Sequence, residues 1–423
     1  MAEKFIIKGG KSLKGEIEAR GAKNAVFPIL AATLLTKDEC EISNIPLIED
    51  VFRMVEILES IGVEIFLDEK KRTLKLRARD IDPSKIRKDL ILKLRGSVLF
   101  FGSLLARFRE VRLPPPGGCI IGARPITTHL DAFSQAGVKI IPSQKDFKFK
   151  LDKLPKHSTI ILNEFSVTAT ENLMLLLSLN QSENIIKIAD ADYQVQELAK
   201  FLIKMGVEIN GIGTHTLKIR GLNKLHGVKH RLIYDPIEAG TFILMAGASR
   251  GEVTIKNVEM DFLELPLKRL KNFGLPFQIL DKSSIKVFPW KTLKINKVQS
   301  LPYPGIPSDL QSAFGVLATQ AQGSTLIHDP LYEGRLKYLE ELNKMGAEIY
   351  FADPHRAIIN GPTRLFGKEL KTFDLRGGMA LIIAGLIAKG TTIIDNIYQV
   401  DRGYERIEER LKKLGADIKR IKQ

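Results

Sequence analysis

The sequence predicts an α/β protein of two domains, each assembled from three copies of one unit of about seventy residues. Three observations predict it. At 423 residues the chain is too long for a single hydrophobic core. A segment made of a helix end, a glycine and a short alternating apolar run recurs six times. The other helical segments, such as Met379-Ala-Leu-Ile-Ile-Ala-Gly-Leu-Ile-Ala388, are apolar nearly all round, which marks them as buried.

The repeat reads Leu58-Glu-Ser-Ile-Gly-Val-Glu-Ile65, then Phe133-Ser-Gln-Ala-Gly-Val-Lys-Ile140 and Leu202-Ile-Lys-Met-Gly-Val-Glu-Ile209. It returns as Leu270-Lys-Asn-Phe-Gly-Leu-Pro-Phe277, Leu342-Asn-Lys-Met-Gly-Ala-Glu-Ile349 and Leu411-Lys-Lys-Leu-Gly-Ala-Asp-Ile418. The glycines, residues 62, 137, 206, 274, 346 and 415, are spaced by 75, 69, 68, 72 and 69. Each reads as a helix C-cap, where a left-handed backbone costs glycine nothing. The alternation that follows, as in Val207-Glu-Ile209 and Leu217-Lys-Ile219, has the period of a half-buried strand. Each unit should therefore hold two helices and about four strands. One helix is buried; the other, such as Glu405–Leu414, is amphipathic and faces solvent. Three units per domain would wrap sheets around a bundle of buried helices. An open solenoid would need polar capping repeats at its ends, which the sequence lacks.

Composition narrows the function classes. The formal charge is +15, but Lys and Arg are spread along the chain among Glu and Asp, without a block of five basic residues. Nucleic acid is therefore not an expected partner. The apolar runs are short and broken, so neither a membrane span nor a signal peptide is expected, and a cytoplasmic location is. Two cysteines, Cys40 and Cys119, fit a reducing compartment and make neither a disulfide framework nor a zinc site. The seven histidines are scattered, so no metal and no cofactor is expected.

One stretch fits neither period: Leu113-Pro-Pro-Pro-Gly-Gly-Cys-Ile-Ile-Gly-Ala-Arg-Pro125. Its prolines stiffen the entry and its glycines free the backbone after them. A thiol, Cys119, then lies five residues before a guanidinium, Arg124. Such a loop suits a lid over an anionic substrate, and equally a surface turn.

These residues belong to an ordered set that resembles the enolpyruvyl transferases, along the whole chain. The set comprises Gly9-Gly-Lys-Ser-Leu-Lys-Gly-Glu-Ile17, Gly21-Ala-Lys-Asn-Ala25, the Gly-Gly-Cys loop with Gly122-Ala-Arg-Pro125, and Ala169-Thr-Glu-Asn172. It continues with Tyr303-Pro-Gly-Ile-Pro-Ser-Asp309, Asp374-Leu-Arg376 and Asp401-Arg-Gly-Tyr-Glu-Arg406. The cysteine loop is similar to that of the branch using a nucleotide sugar rather than shikimate phosphate. The resemblance implies a two-domain inside-out α/β barrel. Residues 1–22 and 234–423 would form one domain, residues 23–233 the other with the Cys119 loop, and the substrates would lie in the cleft between them.

It also implies the reaction: phosphoenolpyruvate and UDP-N-acetylglucosamine as substrates, enolpyruvyl transfer to the sugar 3-hydroxyl, and phosphate release, at the first committed step of peptidoglycan synthesis. By this resemblance Cys119 delivers a proton and can form a covalent adduct, and a thiol near Arg124 should be the more nucleophilic for it. Asp309 is the implied base; by position alone it also suits a helix N-cap. Lys23, Arg124 and Arg402 surround the phosphate, and Arg376 is a further substrate arginine. Asn24, Arg95, Pro125, Ile126, Thr127, Thr128, Glu164, Phe165, Ser166, Val167 and Leu331 fall on the acceptor side. Ser166, before the apolar run Leu173–Leu177, could present a helix N-terminus to the diphosphate. A monomer or weak oligomer is expected.

The chain departs from the family pattern mainly on the acceptor side. Thr127 replaces an acidic residue, Asn163-Glu-Phe165 precedes the serine motif, and Thr168 replaces a glycine. Ala191-Asp-Tyr-Gln194, Asp235-Pro-Ile-Glu238 and Glu333-Gly-Arg335 also differ from the usual runs. Glu164 near a diphosphate would repel it unless the carboxylate points away. A paralogue with another hydroxyl acceptor, or a non-catalytic homologue, are the alternatives.

Overall fold

Apolar alternation and glycine caps produce the predicted unit six times. The computed structural model describes residues 3–117 and 121–422. It divides into two compact units, one of Met1–Arg20, Cys119–Ala123 and Tyr234–Gln423, the other of Gly21–Gly118 and Arg124–Ile233. All six repeat glycines have positive φ, from 83 to 108°. Each ends a helix and admits the strand that follows. In Thr216–Arg220, Leu217 and Ile219 are buried while Thr216, Lys218 and Arg220 are exposed, as a period of two requires.

Six sheets form among the described residues, three in each unit. Five have four strands, each with two antiparallel pairings and one parallel pairing. The first unit is closed by its own N-terminal strand. Glu3–Lys8 pairs with Thr391–Asp395 on one side and Asp417–Lys422 on the other, Ile7 lying opposite both Thr392 and Ile418. In the second the last strand returns to the first sheet, Lys229–Arg231 running parallel to Cys40–Ser43.

The sixth sheet has three strands rather than about four: Glu110–Leu113, Phe147–Lys150 and Lys139–Pro142. Beside its first strand the chain makes a short 3-10 turn, Pro83–Lys85, instead of a strand. Pro83 has no N–H to give a ladder, and Asp82 caps the turn by accepting from the Ser84 N–H at 3.0 Å.

Buried helices fill the inside of each unit. In the first unit Ser308–Ala318 packs on both Pro236–Ala248 and Leu375–Ile387, and each helix also packs on a sheet. All of Pro236–Ala248 is buried. In the second unit Phe100–Phe108 packs on Val167–Leu177, and Lys23–Ala32 on Tyr193–Lys204. Each Leu, Ile or Phe so buried contributes about 1.5–3 kcal/mol of transfer free energy. Helix contacts are close: a Cβ on Gly315 would collide with the Tyr338 hydroxyl.

The outer helix expected over Glu405–Leu414 is shorter, Ile407–Lys413, because Arg406 adopts a left-handed backbone with φ 39°. Its polar face is not wholly solvated either. Arg410 is buried, ion-paired with Glu238 at 2.6 Å and placed over the Phe242 ring. Among the described residues no helix is long and apolar enough to cross a membrane.

Candidate functional site

Two buried helices each leave one residue unburied, and in both it is the second residue. In Lys23–Ala32 it is Asn24; in Ser308–Ala318 it is Asp309. Both are sequence-predicted site residues. A first-turn position places a side chain at the positive end of the helix, where anions are favoured.

Asp309 is not a helix cap, contrary to the simpler reading of its position. The N-cap residue is Pro307, and no side chain caps this helix. Asp309 is instead held by two buried guanidiniums. Its Oδ1 accepts from Arg335 Nη2 at 2.9 Å and its Oδ2 from Arg376 Nε at 3.0 Å. Arg376 also donates to the Tyr404 hydroxyl at 3.1 Å, and that hydroxyl lies 3.2 Å from Thr241 Oγ1. Arg335 donates to Ser308 Oγ at 3.0 Å, and Ser308 Oγ donates to Asp329 Oδ2 at 2.6 Å. Asp374 caps Leu375–Ile387, accepting from the Arg376 and Gly377 N–H groups at 3.0 Å, and lies 3.7 Å from Arg335 Nη1.

Burial alone would lower the pKa of either guanidinium. For Arg376 the Asp309 carboxylate, with the Tyr404 hydroxyl and Asp235 adding, reverses that and holds it well above its ordinary value. Asp309, Asp374 and Asp329 do the same for Arg335. Both arginines are therefore permanent cations. Arg402 is buried and donates to Gln399 Oε1 at 3.1 Å. Leu331 is exposed; its N–H donates to Asp329 Oδ1 at 3.1 Å.

In the second unit Lys23, the first residue of its helix, is buried and ion-paired with buried Asp50 at 3.1 Å, its ammonium 5.0 Å from the Phe27 ring centroid. Arg95 donates to the Pro125 carbonyl at 3.2 Å. Arg124 is half-buried, Pro125 is exposed, and Ile126 is the N-cap residue of Thr127–Gln135. Thr127 is exposed. Cys119 lies outside the described residues. Cys40 is a buried thiol whose pKa burial pushes up to about 11, so it is no nucleophile.

The departures Glu164 and Thr168 have partners. Thr128 Oγ1 donates to Glu164 Oε1 at 2.7 Å. His129 Nε2 lies 3.1 Å from Thr168 Oγ1, and its Nδ1 lies 3.0 Å from Asn172 Nδ2. An amide nitrogen only donates, so Nδ1 accepts and Nε2 carries the proton, which it gives to Thr168. Burial, with Arg95 adding, drops the His129 pKa to about 3, so the ring is neutral. Asn172 also accepts from the Gly102 N–H at 2.8 Å and donates to the Val98 carbonyl at 3.1 Å. Thus Thr128 and His129 tie the start of their helix to the segment 164–172.

Ser166 is the N-cap of Val167–Leu177, its Oγ accepting from the Ala169 N–H at 3.4 Å. Val167 is half-buried; Phe165 is exposed, with its ring 4.6 Å from that of His215. Glu171 is fully buried and its Oε1 has no hydrogen-bond partner among the described residues. Burial, with Asp190 and Asp192 adding, raises its carboxyl well above the usual range, so it is a neutral acid.

The structure thus joins Asp309 to Arg376, Arg95 to Pro125, and Thr128 to Glu164. Sequence reasoning gave no role to Asp50, Arg335, Tyr404 or His129; the first three grip a predicted residue from another element, and His129 grips the departure Thr168.

Fold and side chains together define a six-unit α/β protein with fixed charges at the heads of its buried helices. The chain belongs to the enolpyruvyl transferases: the model of the EPSP synthase (3-phosphoshikimate 1-carboxyvinyltransferase) family matches residues 7–411. It is similar to the UDP-N-acetylglucosamine 1-carboxyvinyltransferase of Treponema denticola, 42% identical over 421 residues and 98% of each chain. It is likewise similar to the protein of that name from Halothermothrix orenii, 41% identical over 99% of this chain and 100% of the relative. Among solved structures, the enolpyruvyl transferase NikO from Streptomyces tendae shares the fold at a TM-score of 0.89, 24% identical over 99% of both chains. An EPSP synthase from Acinetobacter baumannii shares it at 0.74, 17% identical over the full length of both.

Proposed function

We propose that the protein transfers the enolpyruvyl group of phosphoenolpyruvate to the 3-hydroxyl of UDP-N-acetylglucosamine and releases phosphate, the first committed step of peptidoglycan synthesis. The observation that carries this reading is the end-to-end similarity, near 40% identity, to relatives named for that transfer. The clamped Asp309 supplies its chemistry.

In the addition step a proton joins the methylene carbon of phosphoenolpyruvate and the sugar oxygen bonds to C2. In the elimination step the methyl carbon loses a proton, the C2–phosphate oxygen bond breaks, and the double bond returns. Cys119 delivers the first proton. Asp309 takes the proton of the hydroxyl. Its Oδ1 accepts from Arg335 and its Oδ2 from Arg376. Two fixed guanidiniums hold that carboxylate in one orientation before the substrate arrives. Lys23, Arg124 and Arg402 hold the phosphate and stabilise the charge it carries away, and Arg376 adds a cation beside the intermediate. Ser166 and Val167, at the start of a long buried helix, offer N–H groups to the diphosphate. Glu164 is engaged by Thr128, which supports an acceptor side that tolerates this carboxylate.

A panel assay tests the reading. Phosphate release from phosphoenolpyruvate should depend on UDP-N-acetylglucosamine and not on shikimate 3-phosphate. Release only with a different sugar or polyol would overturn the acceptor assignment.

A further inference from the structure

We propose that Glu333 is a positioning residue for Arg124: its carboxylate fixes the loop end from which Arg124 springs, and so sets that cation on the phosphate of phosphoenolpyruvate. The proposal rests on the preceding reading for the role of Arg124, and on three contacts for the role of Glu333. Glu333 Oε1 accepts from the Ala123 N–H at 2.6 Å, and Arg124 is the next residue in the chain. The N–H of Gly334 donates to the Ile121 carbonyl at 2.9 Å. Between these bonds Gly122 has φ 140°, and a Cβ there would collide with the Glu333 carboxylate. A Cβ on Gly334 would in turn lie 2.7 Å from the Ile121 carbonyl carbon. Glycine at both places lets the two short segments meet this closely with the Glu333 carboxylate where it stands. The Ala123 N–H holds the Glu333 carboxyl below the usual carboxylate range, so it accepts as an anion.

The clamp has a rigid base. Asp329 Oδ1 accepts from the N–H groups of Leu331 and Tyr332, both at 3.1 Å, and its Oδ2 from Ser308. Arg335, two residues after Glu333, grips Asp309. One turn therefore carries both the arginine that orients Asp309 and the carboxylate that orients the approach to Arg124. On the far side of Arg124, Pro125 accepts from Arg95. Arg124 thus stands between two anchored neighbours, which limits where its guanidinium can reach. A displaced cation of this kind costs about 10–100-fold in use of its substrate.

The test compares the full-length protein with Glu333→Ala and Glu333→Gln, the latter keeping an oxygen acceptor without the charge. Two readouts are taken: amide hydrogen exchange over 121–125, and steady-state phosphate release. Glu333→Ala should speed exchange there and raise KM for phosphoenolpyruvate about tenfold, with KM for UDP-N-acetylglucosamine within about twofold. Glu333→Gln should recover most of both losses. Unchanged exchange in Glu333→Ala overturns the clamp. Faster exchange with an unchanged KM for phosphoenolpyruvate, or equal rises in both KM values, overturns the positioning role. A wild-type protein without transferase activity would sink the functional reading, while the exchange data would still decide the clamp.

Discussion

Asp309 shows what a single residue owes to its surroundings. A lone carboxylate on a helix could swing through several rotamers; this one has both oxygens taken by buried cations. Asp309→Asn keeps the shape, loses the base and leaves two guanidiniums facing an amide. It should lower kcat for phosphate release about 100–1000-fold, with the fold retained by circular dichroism. His129 makes a prediction about pH. Its folded pKa, about 3, lies below the ordinary 6.5, so the folded state refuses a proton that the unfolded state accepts. The stability this gives is complete above about pH 6.5 and is lost as pH falls toward 3, at up to about 1.4 kcal/mol per pH unit. Urea titrations between pH 7 and 5 should show that slope in the wild type and a shallower one in His129→Gln. Lys23, Asp309 and Arg376 were legible because each stands in a motif. Asp50 and His129 were not, because what marks them is proximity across the fold, and no local pattern encodes it; Arg335 stood in a quoted run, but its grip on Asp309 is visible only in the fold.

At the scale of elements, legibility followed backbone constraint. A helix end that must turn left-handed selects glycine, so the six caps could be read directly. The three-stranded sheet could not, since it depends on what the chain around Pro83 does beside a strand that follows in the sequence. The start of the outer helix near its C-terminus was also missed: nothing in Glu405-Arg406 announces a left-handed arginine. Core helices approach closely through small residues, and Gly315 against Tyr338 is the sharpest case. Gly315→Ala should therefore destabilise the protein by about 1–3 kcal/mol despite the better helix propensity of alanine. A lower urea midpoint at constant m-value would show it; an unchanged midpoint would mean that Tyr338 moves aside without cost.

At the scale of the whole molecule, six units give two compact bodies, and the chain starts and ends in the same one. The repeat alone does not say which unit receives the first strand; the pairing of Glu3–Lys8 with Thr391–Asp395 and Asp417–Lys422 does. The departures from the family pattern cluster on the acceptor side, so the identity of the acceptor is the property to measure. The direct measurement is mass spectrometry of the nucleotide sugar after incubation with the protein, phosphoenolpyruvate and UDP-N-acetylglucosamine. The account predicts an enolpyruvyl ether at the 3-hydroxyl, formed in equal amount with free phosphate. Intact UDP-N-acetylglucosamine, recovered from a mixture in which another acceptor is converted, would contradict it.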